Sequence, residues 1–222
     1  MKRIVFTIIL IFNVLQGNTQ NVKQVAYSFR LNFRTKLGEK WSWQNETEYR
    51  RFTNPDRPWQ SLSQSHLHYR FQKKWETVLG LAYAAVWQGD LVVPEWRPYQ
   101  DIQYFQPLSQ GWQLSYRTRI EERFIHKSSK TELTEGFGFR FRPRMRVQLS
   151  KTFNPEWTAK LSQELLFHAG DGFNQSQTWL SVEKQFSHGV SLDLGYLKMF
   201  SKRVTGGYFN RDVLRLSLFK IT

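Results

Sequence analysis

Residues 136–150 read GFGFRFRPRMRVQLS. From Phe137 onward every second residue is apolar or proline: Phe137, Phe139, Phe141, Pro143, Met145, Val147 and Leu149. Between them Arg140, Arg142, Arg144 and Arg146 recur without a break. A period of two puts the two sets on opposite faces of a β-strand. The guanidinium face needs water or counter-charge, and the phenylalanine face needs something oily.

The same alternation runs along most of the chain. Tyr27, Phe29, Leu31 and Phe33 alternate with Ser28, Arg30, Asn32 and Arg34. Trp41 and Trp43 open a second segment whose other face carries Gln44, Glu46, Glu48 and Arg50. Leu67, Tyr69 and Phe71 alternate with His66, His68 and Arg70, and a fourth segment runs from Trp75 to Trp87. A weaker fifth surrounds Ile102 and Tyr104. Trp112, Leu114, Tyr116, Thr118 and Ile120 stand against Gln113, Ser115, Arg117, Arg119 and Glu121, just before the arginine strand. Four more follow: Trp157 to Phe167, Gln177 to Phe186, Val190 to Tyr196, and Val213 to Leu218. That makes about eleven segments by alternation, with no helical stretch between them, so the sheet should be antiparallel.

Connections such as LGEK, KK, LSQG, SKTFNPE and SHG are short. TNPDRPWQ, QGDLVVPEWRP, IHKSSKTEL, AGDGFNQS and RVTGGYFN are longer, and the two kinds alternate. Outer-membrane barrels have this pattern, with short periplasmic turns and longer external loops. Trp41, Trp75, Trp112 and Trp157 each open a strand after a short turn. They are expected at one level, as an aromatic girdle at the periplasmic interface. Backbone groups in lipid must pair internally, so the sheet must close on itself. The expected fold is therefore a closed antiparallel transmembrane β-barrel of about 10–12 strands. Because single-chain bacterial barrels have even numbers, 10 or 12 is expected.

The bulk properties agree. The chain has 222 residues, enough for one domain, and no cysteine for a disulfide framework or a thiolate metal site. Aromatics reach 16% alongside 32 basic and 18 acidic residues, a combination suited to a surface with two solvents. The start, MKRIVFTIILIFNVLQGNTQN, has a basic pair, an apolar run from Ile4 to Leu15 and a small polar region. It reads as a secretory signal peptide over residues 1–19, cleaved to leave the single barrel domain 20–222. A membrane anchor is the rival reading, but the run is shorter than the ~20 residues a spanning helix needs. Loss of Lys2 and Arg3 lowers the formal charge of +14 by only two. The expected site of residence is the outer membrane of a Gram-negative bacterium, reached through the periplasm.

On this reading Arg140, Arg142, Arg144 and Arg146 face the lumen, with Arg117, Arg119, Glu121 and Arg123 on the preceding strand and Lys160 and Glu164 on the next. An arginine at the lipid midplane would cost ~2–4 kcal/mol, which excludes the opposite assignment. Two uses of these charges stand open. They could pair mutually and fill a narrow barrel. Their local positive excess could instead bind phosphate or carboxylate, giving an anion-selective pore or a site for lipopolysaccharide phosphate. Outer-membrane lipid and lipopolysaccharide are the expected surroundings, small anions the candidate ligand, and a monomer the expected state. Nucleic acid is excluded as a partner, since stacking platforms need aromatic and basic groups on one face.

No cofactor and no metal is expected. His66 and His68 share a face two residues apart, without an evident third ligand. No G-x-S-x-G, H-E-x-x-H or phosphate-binding loop is present. RFIHKSSK, with His126 and Ser128, resembles the R-F-x-H-x-S-N stretch of outer-membrane lipid A deacylases and, more loosely, the H-x-S-N-G of outer-membrane phospholipases. That resemblance implies a histidine base and a serine nucleophile. Ser129 replaces the asparagine, and Glu122 or Glu132 would have to orient the histidine.

A wider resemblance covers nearly all the chain after the leader. KLGEKWSWQNETEYR, RPYQDIQYFQPL, SYRTRIEERF and VSLDLGYLKMF are similar to an uncharacterised outer-membrane β-barrel family of Gram-negative bacteria, common in Bacteroidetes and known only as a domain of unknown function. The resemblance implies the barrel and its compartment, and no activity.

Overall fold

A computed structural model describes residues 21–170, 172–203 and 206–222. The expected leader lies outside these residues. The strands are β1 (Asn21–Lys36), β2 (Trp41–Thr53), β3 (Asp56–Gln72), β4 (Trp75–Gln88), β5 (Leu91–Pro107) and β6 (Trp112–Ser128). They continue as β7 (Leu133–Asn154), β8 (Trp157–His168), β9 (Gly172–Gln185), β10 (Val190–Lys202) and β11 (Tyr208–Ile221). Each pairs with its sequence neighbours, and β11 returns to β1 to close a barrel.

The count is eleven, so the expected even number is wrong, and so is the purely antiparallel sheet. In a meander each strand reverses the last, and an odd number leaves the first and last pointing the same way. β1 and β11 accordingly pair in parallel, from Asn21↔Tyr208 to Arg34↔Ile221. All other neighbours pair antiparallel. The seam is also tied at its end, where the Lys36 N–H donates to the Thr222 carbonyl (2.9 Å) and the Thr222 N–H to the Arg34 carbonyl (2.9 Å).

The expected alternation of short and long connections is a second correction. At one end the turns are residues 37–40, 73–74, 108–111 and 155–156; at the other, residues 54–55, 89–90 and 129–132 are no longer. Much of the stretches read as external loops is strand, as in Asp56–Gln60 of β3 and Leu91–Pro98 of β5. LVVPEWRP belongs to β5 despite Pro94 and Pro98. A proline removes a ladder donor and is tolerated only where that donor is not needed. Pairing of β5 with β4 runs unbroken from Leu91 to Tyr104. The β5–β6 ladder stops at Glu95 and lapses between Trp96 and Tyr99, so both prolines sit where β6 asks for nothing.

Pro143 has the same role in the opening stretch. β7 pairs with β8 only from Arg144↔Leu166 onward, although it pairs with β6 all the way up to Leu133. Above Pro143 the link to the β8 side is the Ala169 N–H donating to the Phe141 carbonyl (3.1 Å). Beyond Ile125 and Gly138, where β5 also ends its pairing with β6, the two strands form a two-stranded arm. Arg140 stands exposed at the base of that arm and off the cavity wall, because β7 has no β8 partner there.

Side chains divide as the alternation requires, with polarity opposite to that of a water-soluble core. Outward residues include Phe29, Leu79, Phe139 and Leu214, all more than half exposed. Buried inward residues include Ser28, Glu46, Glu48, Asp101, Arg119, Glu121, Arg142 and Glu164. Among the described residues, buried apolar side chains gather in two patches. One is Ala26, Phe52, Leu197, Met199 and Val213; the other is Leu62, Val78, Ala82, Ala84 and Tyr99.

The parallel seam is directly testable. Neighbouring strands lie ~4.7–4.9 Å apart, within the Cα spacing a disulfide accepts. Phe29 and Leu216 are opposite partners and both face outward. In this cysteine-free chain, Phe29→Cys with Leu216→Cys should cross-link on mild oxidation. Phe29→Cys with Leu194→Cys, one strand further round, should not. The reverse result would reject the eleven-strand closure.

Candidate functional site

The lumen is a cavity of about 740 Å3 whose wall is mostly charged. Because inward residues alternate along every strand, the lumen carboxylates meet cations from their own and nearby strands. Glu48 on β2 is fully buried and takes Arg30 of β1 (2.7 Å), Arg50 of β2 (2.8 Å) and Arg215 of β11 (3.1 Å). Asp101 on β5 holds Arg119 of β6 through two bonds of 2.6 and 2.8 Å. Glu164 on β8 takes Arg117 (2.6 Å) and Arg144 (2.7 Å), while Glu121 takes Arg142 (2.6 Å) and Arg144 (3.4 Å). Glu95 on β5 binds Arg97 (2.8 Å) and Arg123. Glu76 on β4 gathers Arg34 (3.4 Å), Arg70 (3.2 Å) and the His68 imidazole (2.8 Å). Lys160 lies between Glu183 and Asp193.

The structure places Arg117, Arg119, Glu121, Arg123, Arg142, Arg144, Arg146 and Glu164 on one cavity wall and leaves out Arg140. Sequence reasoning missed Asp101, Glu95 and Arg97, because β5 reads as a weak strand with a loop before it. It also missed a device that occurs twice. Gly80 faces the lumen, and the Tyr99 ring lies over it so closely that a Cβ there would come within 2.1 Å of the ring. The Tyr99 hydroxyl lies 2.6 Å from His66 Nδ1, and the Arg119 guanidinium covers the ring at 3.8 Å from its centroid. Gly195 is the floor for Trp179 in the same way, at 2.4 Å, and Arg215 covers that ring at 4.4 Å. An isolated glycine inside an alternating strand is the signal that could have found both, since it marks a close approach.

Among the described residues, two of the arginines that line the cavity have no carboxylate within 4 Å. Arg211, near the start of β11, donates to Gln24 (2.8 Å) and Ser201 (2.8 Å) and lies against Trp59 and Phe209. Arg146 lies in the lower half of β7, opposite Arg117 on β6 and Glu164 on β8.

On the outer wall, Trp41, Trp75, Trp112 and Trp157 are the first residues of β2, β4, β6 and β8, so all four stand at one end. Tyrosines and a phenylalanine extend two of them into a belt. Ring centroids run from Trp41 to Tyr69 (4.4 Å), Phe71 (6.4 Å) and Trp75 (6.3 Å), then Tyr104 (4.8 Å) and Tyr116 (6.3 Å). Toward the other end a second set, unforeseen in the sequence, includes Tyr49 with Trp87, Tyr83 with Trp96 and Phe124 with Phe139.

His66 and His68 stack at 5.8 Å, each with a partner, and no cluster of three metal-ligand side chains occurs among the described residues. His126 and Ser128 lie on the arm, on the outward side of β6 with Phe124. His126 Nδ1 is 3.0 Å from the Lys127 carbonyl and its ring packs on Phe137. Among the described hydrogen bonds, none joins His126 to Ser128 or to a carboxylate. Ser129 instead organises the tip, its Oγ accepting from the Thr131 and Glu132 N–H groups.

Two substitutions probe this interior. Glu48→Gln removes the charge that three arginines share, leaving buried cations uncompensated. Unfolding in detergent or vesicles should show a loss of ~3–5 kcal/mol. Gly80→Val drives Tyr99 from its seat and loosens Arg119. An overpacking cost of ~1–3 kcal/mol is expected in the same assay, whereas Gly38→Val, whose Cβ meets nothing within 4 Å, should be neutral within about 0.5 kcal/mol.

No curated protein matches the chain. A family model described as "Protein of unknown function (DUF2490)" matches residues 27–210, from early β1 to early β11. The chain belongs to this DUF2490 family, whose matched region takes in most of the barrel.

Proposed function

We propose that this barrel spans the outer membrane of a Gram-negative envelope and that its lumen binds and passes small anions. The observation that carries the reading is the inverted polarity, an oily outer wall around a charged interior. The belts support the membrane setting. On β4, Trp75 belongs to one belt, and Tyr83 and Trp87 to the other. At ~3.3 Å per residue and a strand tilt of ~40°, the belts are about 20–30 Å apart. That matches the apolar band of ~25 Å between aromatic girdles in outer-membrane barrels.

Anion preference follows from the pairing. Every acidic group described in the lumen is matched by at least one cation, while Arg146 and Arg211 are left over on the same cavity. A cation entering the lumen meets carboxylates already occupied; an anion meets two guanidiniums without a carboxylate. A purely structural barrel would leave the lumen non-conducting and indifferent to anions. Neither the hydrogen bonding nor the packing of His126 and Ser128 supports the hydrolase alternative.

The test is reversal potential across planar bilayers under a potassium chloride gradient. Wild type should select chloride, and Arg146→Gln with Arg211→Gln should shift the reversal potential toward cation preference. A protein that folds as a dissolved monomer without detergent would reject the membrane setting. A lumen that neither conducts nor binds any anion would reject the second half of the reading.

A further inference from the structure

The seam between β6 and β7 places arginine directly opposite arginine three times: Arg117↔Arg146, Arg119↔Arg144 and Arg123↔Arg140. Like charges directly opposite on one face are destabilising unless something between them compensates. Two of the three pairs are resolved within the protein. Arg119 has Asp101 and Arg144 has Glu164, while Arg123 has Glu95 and Arg140 stands exposed at the base of the arm.

The pair Arg117↔Arg146 is not resolved. Glu164 is the one carboxylate within reach, and its oxygens are already held by Arg117 at 2.6 Å and by Arg144 at 3.1 and 2.7 Å. Asp101 lies 3.9 Å from Arg117 but is engaged in both bonds to Arg119. Three guanidiniums therefore lean on one carboxylate, two negative charges short. Arg146 has no described hydrogen bond, and Arg117 Nε is buried without an acceptor. Beside Glu164 and the Arg119–Arg144 pair, three neutral groups flank Arg117 and Arg146: Gln103 opposite Arg117 on β5, Gln148 two residues along β7, and Ser162 opposite Gln148 on β8. All three line the cavity.

Resting on the anion-binding reading, we infer that Arg146, with Arg117, Gln103, Gln148 and Ser162, forms a seat for a phosphoryl-type oxyanion. A flat carboxylate uses one guanidinium fork. A tetrahedral oxyanion offers three or more acceptor oxygens, which is what donors converging from β5, β6, β7 and β8 can satisfy together. The bound group would supply the missing negative charge between two facing arginines. The chemistry is shared by free phosphate and by a lipid headgroup. Because the seat faces the lumen, the free ion is the favoured source.

The experiment is calorimetric titration of the full mature barrel, folded in neutral detergent, with inorganic phosphate and separately with acetate. Phosphate should bind more tightly than acetate. Arg146→Gln should weaken phosphate binding by about tenfold or more. Arg140→Gln, exposed and off the cavity wall, should stay within about twofold. Arg146→Lys keeps the charge and loses the fork, so it should also weaken phosphate, and it serves where the glutamine variant does not fold. Phosphatidylglycerol in the micelles should not compete; competition would support the phosphoryl seat and assign the headgroup as its source. Equal affinity for acetate and phosphate would overturn the oxyanion class. Loss of binding in Arg211→Gln but not in Arg146→Gln would overturn the seat and leave the anion-binding lumen standing. No binding of either ion by wild type would overturn both.

Discussion

Glu48 holds the seam on which closure depends. Its carboxylate receives guanidiniums from β1, β2 and β11, and so bridges the one parallel junction of the barrel. Parallel pairing is slightly weaker per residue than antiparallel pairing. It also has no hairpin to set its register, since the partners are the two ends of the chain. A buried carboxylate with cations on three strands penalises any other register. It does so only while all members are present, because a buried ion pair stabilises little in itself but is costly to break.

The same logic runs around the wall. Arg119 with Asp101 joins β5 to β6, Arg142 with Glu121 joins β6 to β7, and Arg144 with Glu164 joins β7 to β8. In a barrel with an apolar interior these neighbours would be held by a shared apolar core. Here the apolar faces point away from one another, and the inward space must be filled by groups that tolerate water. Charge pairing across strands replaces hydrophobic packing as the inter-strand filler. Glycine floors at Gly80 and Gly195 let an aromatic ring lie flat where two strands come close, with an arginine as its cover.

Much of this was legible in the sequence, because the two-residue period is a local property. The faces of β1, β2, β6, β7, β8, β10 and β11 follow directly from it, as do the positions of the four tryptophans. β5 was harder to read because proline argues against a strand, and only the ladder shows that Pro94 and Pro98 fall where β6 makes no demand. The strand number was misread for a different reason. Alternation gives eleven segments, and the expectation of an even number overrode it. Parity belongs to the closure between chain ends, which no local pattern encodes. Arg140 shows the same limit: its face was correct, but its burial depends on how far β8 extends.

Pairing also decides what the lumen charge can do. A count of residues makes the interior basic, yet a count alone does not create a binding site. Arg142 and Arg119 are buried among carboxylates and are compensated where they stand. Arg146 differs through its neighbours: the residue across β6 is another arginine, and the carboxylate across β8 is shared by others. Moving acidic residues to the positions of Gln103 and Gln148 would pair the seam and erase the excess. The sequence instead puts neutral amides there, groups able to donate hydrogen bonds without cancelling the positive charge beside them. The choice of amide over carboxylate at those two positions separates a filled barrel from one with room for a ligand's negative charge.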